Sequence, residues 1–181
     1  MDTPLVRTSK FLSLVLRHDP GRIGLTLDPA GWAEVDELLA AAAAAGVRLD
    51  RSTLERVVRE NDKQRFALSP DATRIRANQG HSIPVELGLA PRDPPEHLFH
   101  GTAVHNLESI RRNGLQAGKR THVHLSPDPA TAHKVGQRHG RPVVLTVAAG
   151  AMHRHGHVFL QSENGVWLTA GVPPAFIEFP A

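Results

Sequence analysis

Four prolines, Pro84, Pro91, Pro94 and Pro95, crowd the stretch HSIPVELGLAPRDPPEHLFHGT at the middle of the sequence. Each fixes its own φ, removes a backbone donor and pushes the preceding residue toward extended geometry, so no regular element runs through them. The density predicts a linker over residues 82–96, between an N-terminal lobe of residues 1–81 and a C-terminal lobe of residues 97–181. Hydrophobic content of 40% supports a real core in each lobe. No apolar run approaches the roughly 20 residues of a membrane span. Cysteine is absent, which excludes disulfides, thiolate metal sites and cysteine nucleophiles. The Met1–Lys10 stretch lacks a secretory pattern, so a cytoplasmic location is expected. No apolar surface stripe suggests a dimer, and a monomer is expected.

The periodicity changes across the linker. In the first lobe Ser9 can cap a helix carrying Phe11, Leu12, Val15 and Leu16, ending near His18-Asp19-Pro20-Gly21. LTLDPAGW predicts a short extended piece and a turn at Asp28 to Gly31, followed by a helix stopped by Gly46. A third helix follows Asp50 and Ser52, with Leu54, Val57 and Val58 inward. RFALS and TRIRAN then read as a hairpin. Three helices and a hairpin outline a winged helix. The second lobe reads as short strands at EHLFHGT, HVHLS, PVVLTVAA, HVFLQS, VWLTA and AFIEF. Helices are expected at VHNLESIRRNG and from Pro129 to about Arg138. Together the lobes make an α+β protein with a split or strongly bent sheet in its second half.

The formal charge is only +3, yet the basic residues are nearly all arginine, whose planar fork of donors suits phosphate and carboxylate. Composition permits a nucleic-acid partner without demanding one, and 4% aromatics with no tyrosine argues against a base-stacking surface. Among twelve histidines, His122 and His124 share one strand face, and His153, His155 and His157 form HRHGH. Zinc is one reading of these rings. The stronger one is an anion pocket at KRTHVHLS, because Arg120 repels a cation and Asp128 is the only nearby carboxylate. HRHGH reads as a solvated loop without acidic neighbours.

Two further clusters stand at element ends. LRHDP (Arg17, His18, Asp19) closes a helix, and NDKQRF (Asn61 to Phe66) turns the helix-to-hairpin corner. Each alone is more simply a solvated charge face; with Arg120 they could converge on a phosphate. HGT at His100 to Thr102 follows an apolar strand and suits a ribose or an amide, or serves only as a turn with Thr102 as helix N-cap. No G-x-G-x-x-G or Walker motif occurs.

LSLVLRHDP, NDKQRF, IRANQGHS, LFHGT, RTHVHLS, TAHKVGQR and SENGVWLT…VPP, in this order and spacing, resemble the RNA 2′-phosphotransferase family from about Ser9 to Phe179. The resemblance implies an N-terminal winged-helix RNA lobe and a C-terminal ADP-ribosyltransferase-like NAD⁺ lobe with a split β-sheet. It also implies a metal-independent reaction with NAD⁺ as co-substrate and RNA bearing a 2′-phosphate, such as a tRNA splice junction, as partner. The 2′-phosphate attacks C1″ of the nicotinamide ribose. The ribose 2″-hydroxyl then attacks phosphorus, giving 2′-hydroxyl RNA, ADP-ribose 1″,2″-cyclic phosphate and nicotinamide.

Carried onto this sequence, the family's catalytic set falls on Arg17, His18, Arg65 and Arg120, with Lys63 and Gln64 positioning RNA. The guanidinium groups are expected to clamp the phosphate and steady a phosphorane, and His18 to serve proton transfer or phosphate contact. NAD⁺ contacts are implied at His100, Gly101, Thr102, His124, Ser126, Gly136, Arg138 and Val166. Val166 stands near the position where many members of the wider fold carry a catalytic glutamate, with Glu163 close by. Gly118, Thr121 and Phe99 replace the methionine, glutamine and tyrosine common at those positions. Three other functions fit some of these residues: ADP-ribosylation of terminal phosphates on RNA or DNA, non-catalytic sensing of NAD⁺ or ADP-ribose by a nucleic-acid-binding protein, and zinc-dependent hydrolysis.

Overall fold

Leu5, Leu12, Val15 and Leu16 recur at helix-face spacing, and in the computed structural model they are the buried side of α1 (Thr3–Arg17). The structure describes residues 3–61 and 63–180; Met1, Asp2, Asp62 of the NDKQRF stretch and Ala181 lie outside them. The helix begins earlier than the Ser9 cap predicted, because nothing in TPLVRTSK breaks it and proline is tolerated in a first turn. Ser9 instead lies in mid-helix, 5% exposed, and its hydroxyl accepts from Asn61 Nδ2 at 3.1 Å.

The first unit, Met1–Gly88, continues with β1 (Trp32–Glu34), α2 (Val35–Ala44), α3 (Arg51–Glu60), β2 (Phe66–Leu68) and β3 (Arg74–Ala77). α2 stops at Gly46, whose φ of +75° suits a residue without a side chain. Asp50 caps α3 by accepting from the Thr53 amide at 2.7 Å. The hairpin forms as read, with Phe66 opposite Ala77 and Leu68 opposite Ile75. The turn at Asp28 to Gly31 also forms, but the extended residues lie after it: β1 pairs antiparallel with β3, giving the order β1-β3-β2. Three residues are too short to announce a strand by alternation. Val35, Leu38, Leu54, Val57, Phe66 and Ile75 close the core over α1.

The second unit, Leu89–Ala181, contains β4 (Leu98–Ala103), α4 (Leu107–Asn113), β5 (Leu115–Gln116), β6 (Val123–Leu125), α5 (Pro129–Gly136) and β7 (Pro142–Val147). After these come α6 (Ala149–Arg154), β8 (Leu160–Gln161), β9 (Trp167–Thr169), β10 (Gly171–Val172) and β11 (Ile177–Glu178). Two three-stranded antiparallel sheets, β11-β7-β4 and β6-β9-β8, meet where Phe99 and Ser126 exchange backbone hydrogen bonds of 2.9 and 2.7 Å. β10 pairs with β5. Leu98, Leu125, Leu145, Met152, Phe159 and Trp167 form the core between these elements. The chain is therefore α+β, built from helices and small antiparallel sheets.

HRHGH is exposed from His153 to Gly156, as a solvated stretch was expected to be, but it starts on a helix and not in a loop. His153 is on α6, where its Nε2 lies 3.3 Å from Asp93, an acidic neighbour distant in sequence. The rings of His155 and His157 both stand edge-on to Phe176, at 5.5 and 5.7 Å. Among the described residues, no three histidine, aspartate or glutamate side chains form a group able to hold a metal. No helix among them is long and apolar enough to cross a membrane.

Candidate active site

The end of α1 and the corner after α3 bring the basic residues of the first unit together. The Arg17 Nη2 donates to the Arg65 carbonyl at 3.2 Å, and its guanidinium lies 5.8 Å from the Phe66 ring. Arg65 is oriented by Asn61, whose Oδ1 accepts from Arg65 Nη1 and from the Lys63 amide, both at 3.1 Å. Asn61 is 2% exposed and spends its amide group on Ser9. A buried polar bridge thus runs from the middle of α1 to the guanidinium of Arg65.

Gln64 takes a left-handed conformation, φ +41°, which an L side chain adopts at a cost. The corner is held by the Gln64 amide donating to the Asn61 carbonyl at 2.7 Å, and by Asn78 Nδ2 donating to the Gln64 carbonyl at 2.6 Å. Lys63 and Gln64 are exposed there, beside the half-buried Arg65. His18 is exposed at the end of α1, its Nδ1 sharing a 2.8 Å hydrogen bond with the Ser82 hydroxyl.

His81 sits behind this cluster, 1% exposed, with both ring nitrogens buried and without a hydrogen-bond partner. Burial, and next the charges of Arg17, His18 and Arg76, push its pKa down to about 4. The unfolded chain therefore takes up this proton near pH 6.5 and the folded protein only near pH 4. In that window the unfolded state binds more protons, so stability is full above pH 6.5 and is lost as pH falls toward 4. The loss attributable to this ring is up to about 3 kcal/mol. Denaturant unfolding across pH 4–6.5 should show that slope, and His81→Asn should lack it; an unchanged slope would contradict the assignment.

The second unit holds the other expected residues. His100, on β4, donates from Nδ1 to the His124 carbonyl at 3.0 Å. A carbonyl only accepts, so Nδ1 carries the proton. Burial is the first cause lowering the pKa of His100, which leaves the ring neutral with Nε2 as an acceptor. His124, on β6, accepts at its own Nδ1 from Arg120 Nη1 at 3.4 Å. His100, His124 and Arg120 thus form one chain. His122 lies outside it, immediately before β6, bonded to the Thr121 hydroxyl at 3.1 Å.

HGT lies inside β4, not at a strand end, and Thr102 caps no helix: buried, it accepts from Asn106 Nδ2 at 3.2 Å. Gly101 and Gly136 face one another where α5 crosses β4. A Cβ on Gly101 would fall 1.7 Å from the Ala132 carbonyl oxygen, and one on Gly136 2.7 Å from that of Thr102. Both glycines are demanded by packing. Ser126 is engaged through its backbone with Phe99, and Arg138 is exposed just beyond α5. Val166 is half-buried at the end of the Ser162–Val166 turn, where its amide donates to the Ser162 hydroxyl at 3.2 Å. His100 and Thr102, with Asn106, Ser109, Asn113 and Gln116, line a polar cleft of about 540 Å³. Asn106, Ser109 and Asn113 went unnoticed in the sequence, since ordinary helix residues carry no motif.

Guanidinium and imidazole groups oriented in the first unit, and a polar cleft in the second, are donor sets suited to anionic ligands. The family model described as "RNA 2'-phosphotransferase, Tpt1 / KptA family" matches residues 3–171. A Burkholderia lata protein named "Probable RNA 2'-phosphotransferase" is 58% identical over 173 residues, 95% of this chain and 89% of its own length. Proteins of the same name from Flavobacterium johnsoniae and Streptomyces coelicolor are each 57% identical, over 94% and 97% of this chain and 94% and 96% of their own lengths. The chain belongs to the RNA 2′-phosphotransferase family, and it is an enzyme.

Proposed function

We propose that the enzyme removes an internal RNA 2′-phosphate by transferring it to NAD⁺. A non-bridging oxygen of the 2′-phosphate attacks C1″, the bond from C1″ to the nicotinamide nitrogen breaks, and nicotinamide leaves neutral. The phosphate is already a competent nucleophile, so this step needs alignment above all. The 2″-hydroxyl of the tethered ADP-ribose then attacks phosphorus and loses its proton. The bond from phosphorus to the RNA 2′-oxygen breaks and that oxygen is protonated. The second step gathers charge on a phosphorane, which fixed guanidinium groups stabilise.

The observation carrying this reading is the cluster of Arg17, His18 and Arg65, each oriented by a hydrogen bond. Arg17 and Arg65 grip the phosphate, His18 moves the proton or contacts the phosphate, and Lys63 and Gln64 position the RNA. Arg120, bonded to His124 in the second unit, falls in the same catalytic set by the family's sequence pattern. Three helices with a three-stranded antiparallel sheet support a winged-helix reading of the first unit. The two sheets joined at Phe99 and Ser126 support an ADP-ribosyltransferase-like reading of the second. The polar cleft beside His100 and Thr102 is of a size for part of a dinucleotide.

Mixing the enzyme with NAD⁺ and an oligonucleotide carrying one internal 2′-phosphate tests this. Stoichiometric nicotinamide, a 2′-hydroxyl product and a cyclic phosphate identified by mass are expected, undiminished in EDTA. Phosphate loss without NAD⁺ would refute it. Modification confined to terminally phosphorylated strands would replace it with terminal ADP-ribosylation.

A further inference from the structure

No aspartate or glutamate occurs between Asp128 and Glu163, although this stretch carries Lys134, Arg138, Arg141 and Arg154. Arg154 is compensated from outside it, by forking onto Glu96. The other three are not: among the described residues, Lys134, Arg138 and Arg141 form no ion pair. The fold then gathers them at one corner. Ala132 and Gly136 press α5 onto β4, so Lys134, two positions on from Ala132, stands about 200° around the helix and faces away from the sheet. Arg138 follows four residues later, its amide donating to the Val135 carbonyl at 3.2 Å. The chain turns at Gly140, whose φ of +135° suits a residue without a side chain. A Cβ there would lie 3.6 Å from Cε1 of His105, so the turn packs against an exposed imidazole. The Arg141 carbonyl accepts from the Val104 amide at 3.0 Å, and Arg141 is exposed just before β7.

We propose that this corner, Lys134, Arg138 and Arg141 with His105 beside them, is a docking surface for backbone phosphates of the RNA strand that carries the 2′-phosphate. The inference rests on reading the enzyme as one that acts on RNA 2′-phosphates. A helix C-terminus by itself favours cations only in its last turn, and Arg141 lies well beyond it. None of the three lines the polar cleft, so a dinucleotide bound there leaves Lys134 and Arg141 without a task. Cations with no carboxylate partner break no ion pair on meeting a phosphate, and each phosphate they neutralise releases a counterion from the strand. No phenylalanine, tyrosine or tryptophan occurs from Pro129 to Met152, so the contact is to the backbone and not to stacked bases.

The test uses the full chain, with RNA binding read by fluorescence anisotropy and turnover measured with NAD⁺. Two 2′-phosphorylated oligonucleotides serve, one long and one trimmed to the nucleotides on either side of the modification. Lys134→Ala/Arg141→Ala should weaken binding of the long strand about tenfold and reduce its salt slope by about 1.4, the share of two single-strand phosphate contacts. Binding of the trimmed strand should fall far less, while kcat, KM for NAD⁺ and the unfolding midpoint stay unchanged. The charge-matched control is Arg22→Ala/Arg48→Ala, two exposed residues of the first unit, which should bind the long strand as wild type does. Wild-type affinity and salt slope in Lys134→Ala/Arg141→Ala would overturn the docking surface. So would equal losses for both strands, equal losses in both double variants, or a raised KM for NAD⁺ with RNA binding intact. Absence of 2′-phosphate transfer by the wild-type enzyme would instead remove the reading beneath the inference, and anisotropy separates the two failures because it needs no turnover.

Discussion

Gly101→Ala should cost the second unit more than about 3 kcal/mol, and a larger residue should prevent a soluble product. The added carbon would sit 1.7 Å from the Ala132 carbonyl oxygen and 2.6 Å from its carbon. Ordinary contact needs well over an ångström more, and the obstructing atoms are helix backbone, which cannot rotate aside. α5 would have to lift from β4, and that shift would open the seam where Gly136 meets Thr102. Gly118→Ala is the control: its φ of +62° carries a backbone penalty, but nothing lies within 4 Å of its Cβ. That variant should lose only about 1 kcal/mol. Denaturant midpoints compare them, and equal losses would show that packing is not the cause.

Arg65→Ala should lower kcat by about 10²–10³-fold, the usual cost of deleting one group that stabilises transition-state charge. The fold should survive, because Asn61 keeps its bonds to Ser9 and to the Lys63 amide when the guanidinium goes. Arg65→Lys should recover little, since an ammonium cannot make two parallel bonds to a phosphate. Product analysis should find either intact 2′-phosphate or the ADP-ribosylated intermediate. Full turnover by Arg65→Ala would withdraw this residue from the reaction.

What could be read from the chain was mostly local. The turn at His18-Asp19-Pro20, the RFALS–TRIRAN hairpin and the start of α5 at Pro129 all carry short-range chemistry, and all appear in the structure. Ser9 misled, because a serine before an apolar run looks like a cap unless its distant partner Asn61 is known. β1 and α6 were too short for their periodicity to stand out. HGT looked like a strand end because a glycine usually interrupts a strand; here it admits a crossing helix.

Arginine content was equally uninformative by itself. Arg74 and Arg76 lie over Trp32, at 5.4 and 4.6 Å, and Arg154 forks onto Glu96. Those are structural uses of the same residue type. Motif resemblance singled out Arg17 and Arg65; the carbonyl that orients Arg17 lies 48 positions away, whereas Arg65 is held by Asn61 only four residues before it. The grip of Ser82 on His18 spans 64 positions and has no signature along the chain.

The bridge from Ser9 through Asn61 to Arg65 sets a constraint on anyone improving this protein's durability. Alanine is the obvious replacement for a serine in the middle of a helix, and on propensity alone it is favourable. At residue 9 that gain would come by releasing the asparagine that aims the guanidinium. Removing the hydroxyl also leaves the buried Asn61 amide without its acceptor, which costs more than the helix propensity returns, so durability and turnover would fall together at a position remote from any reacting atom, and consensus-style helix optimisation should leave it alone.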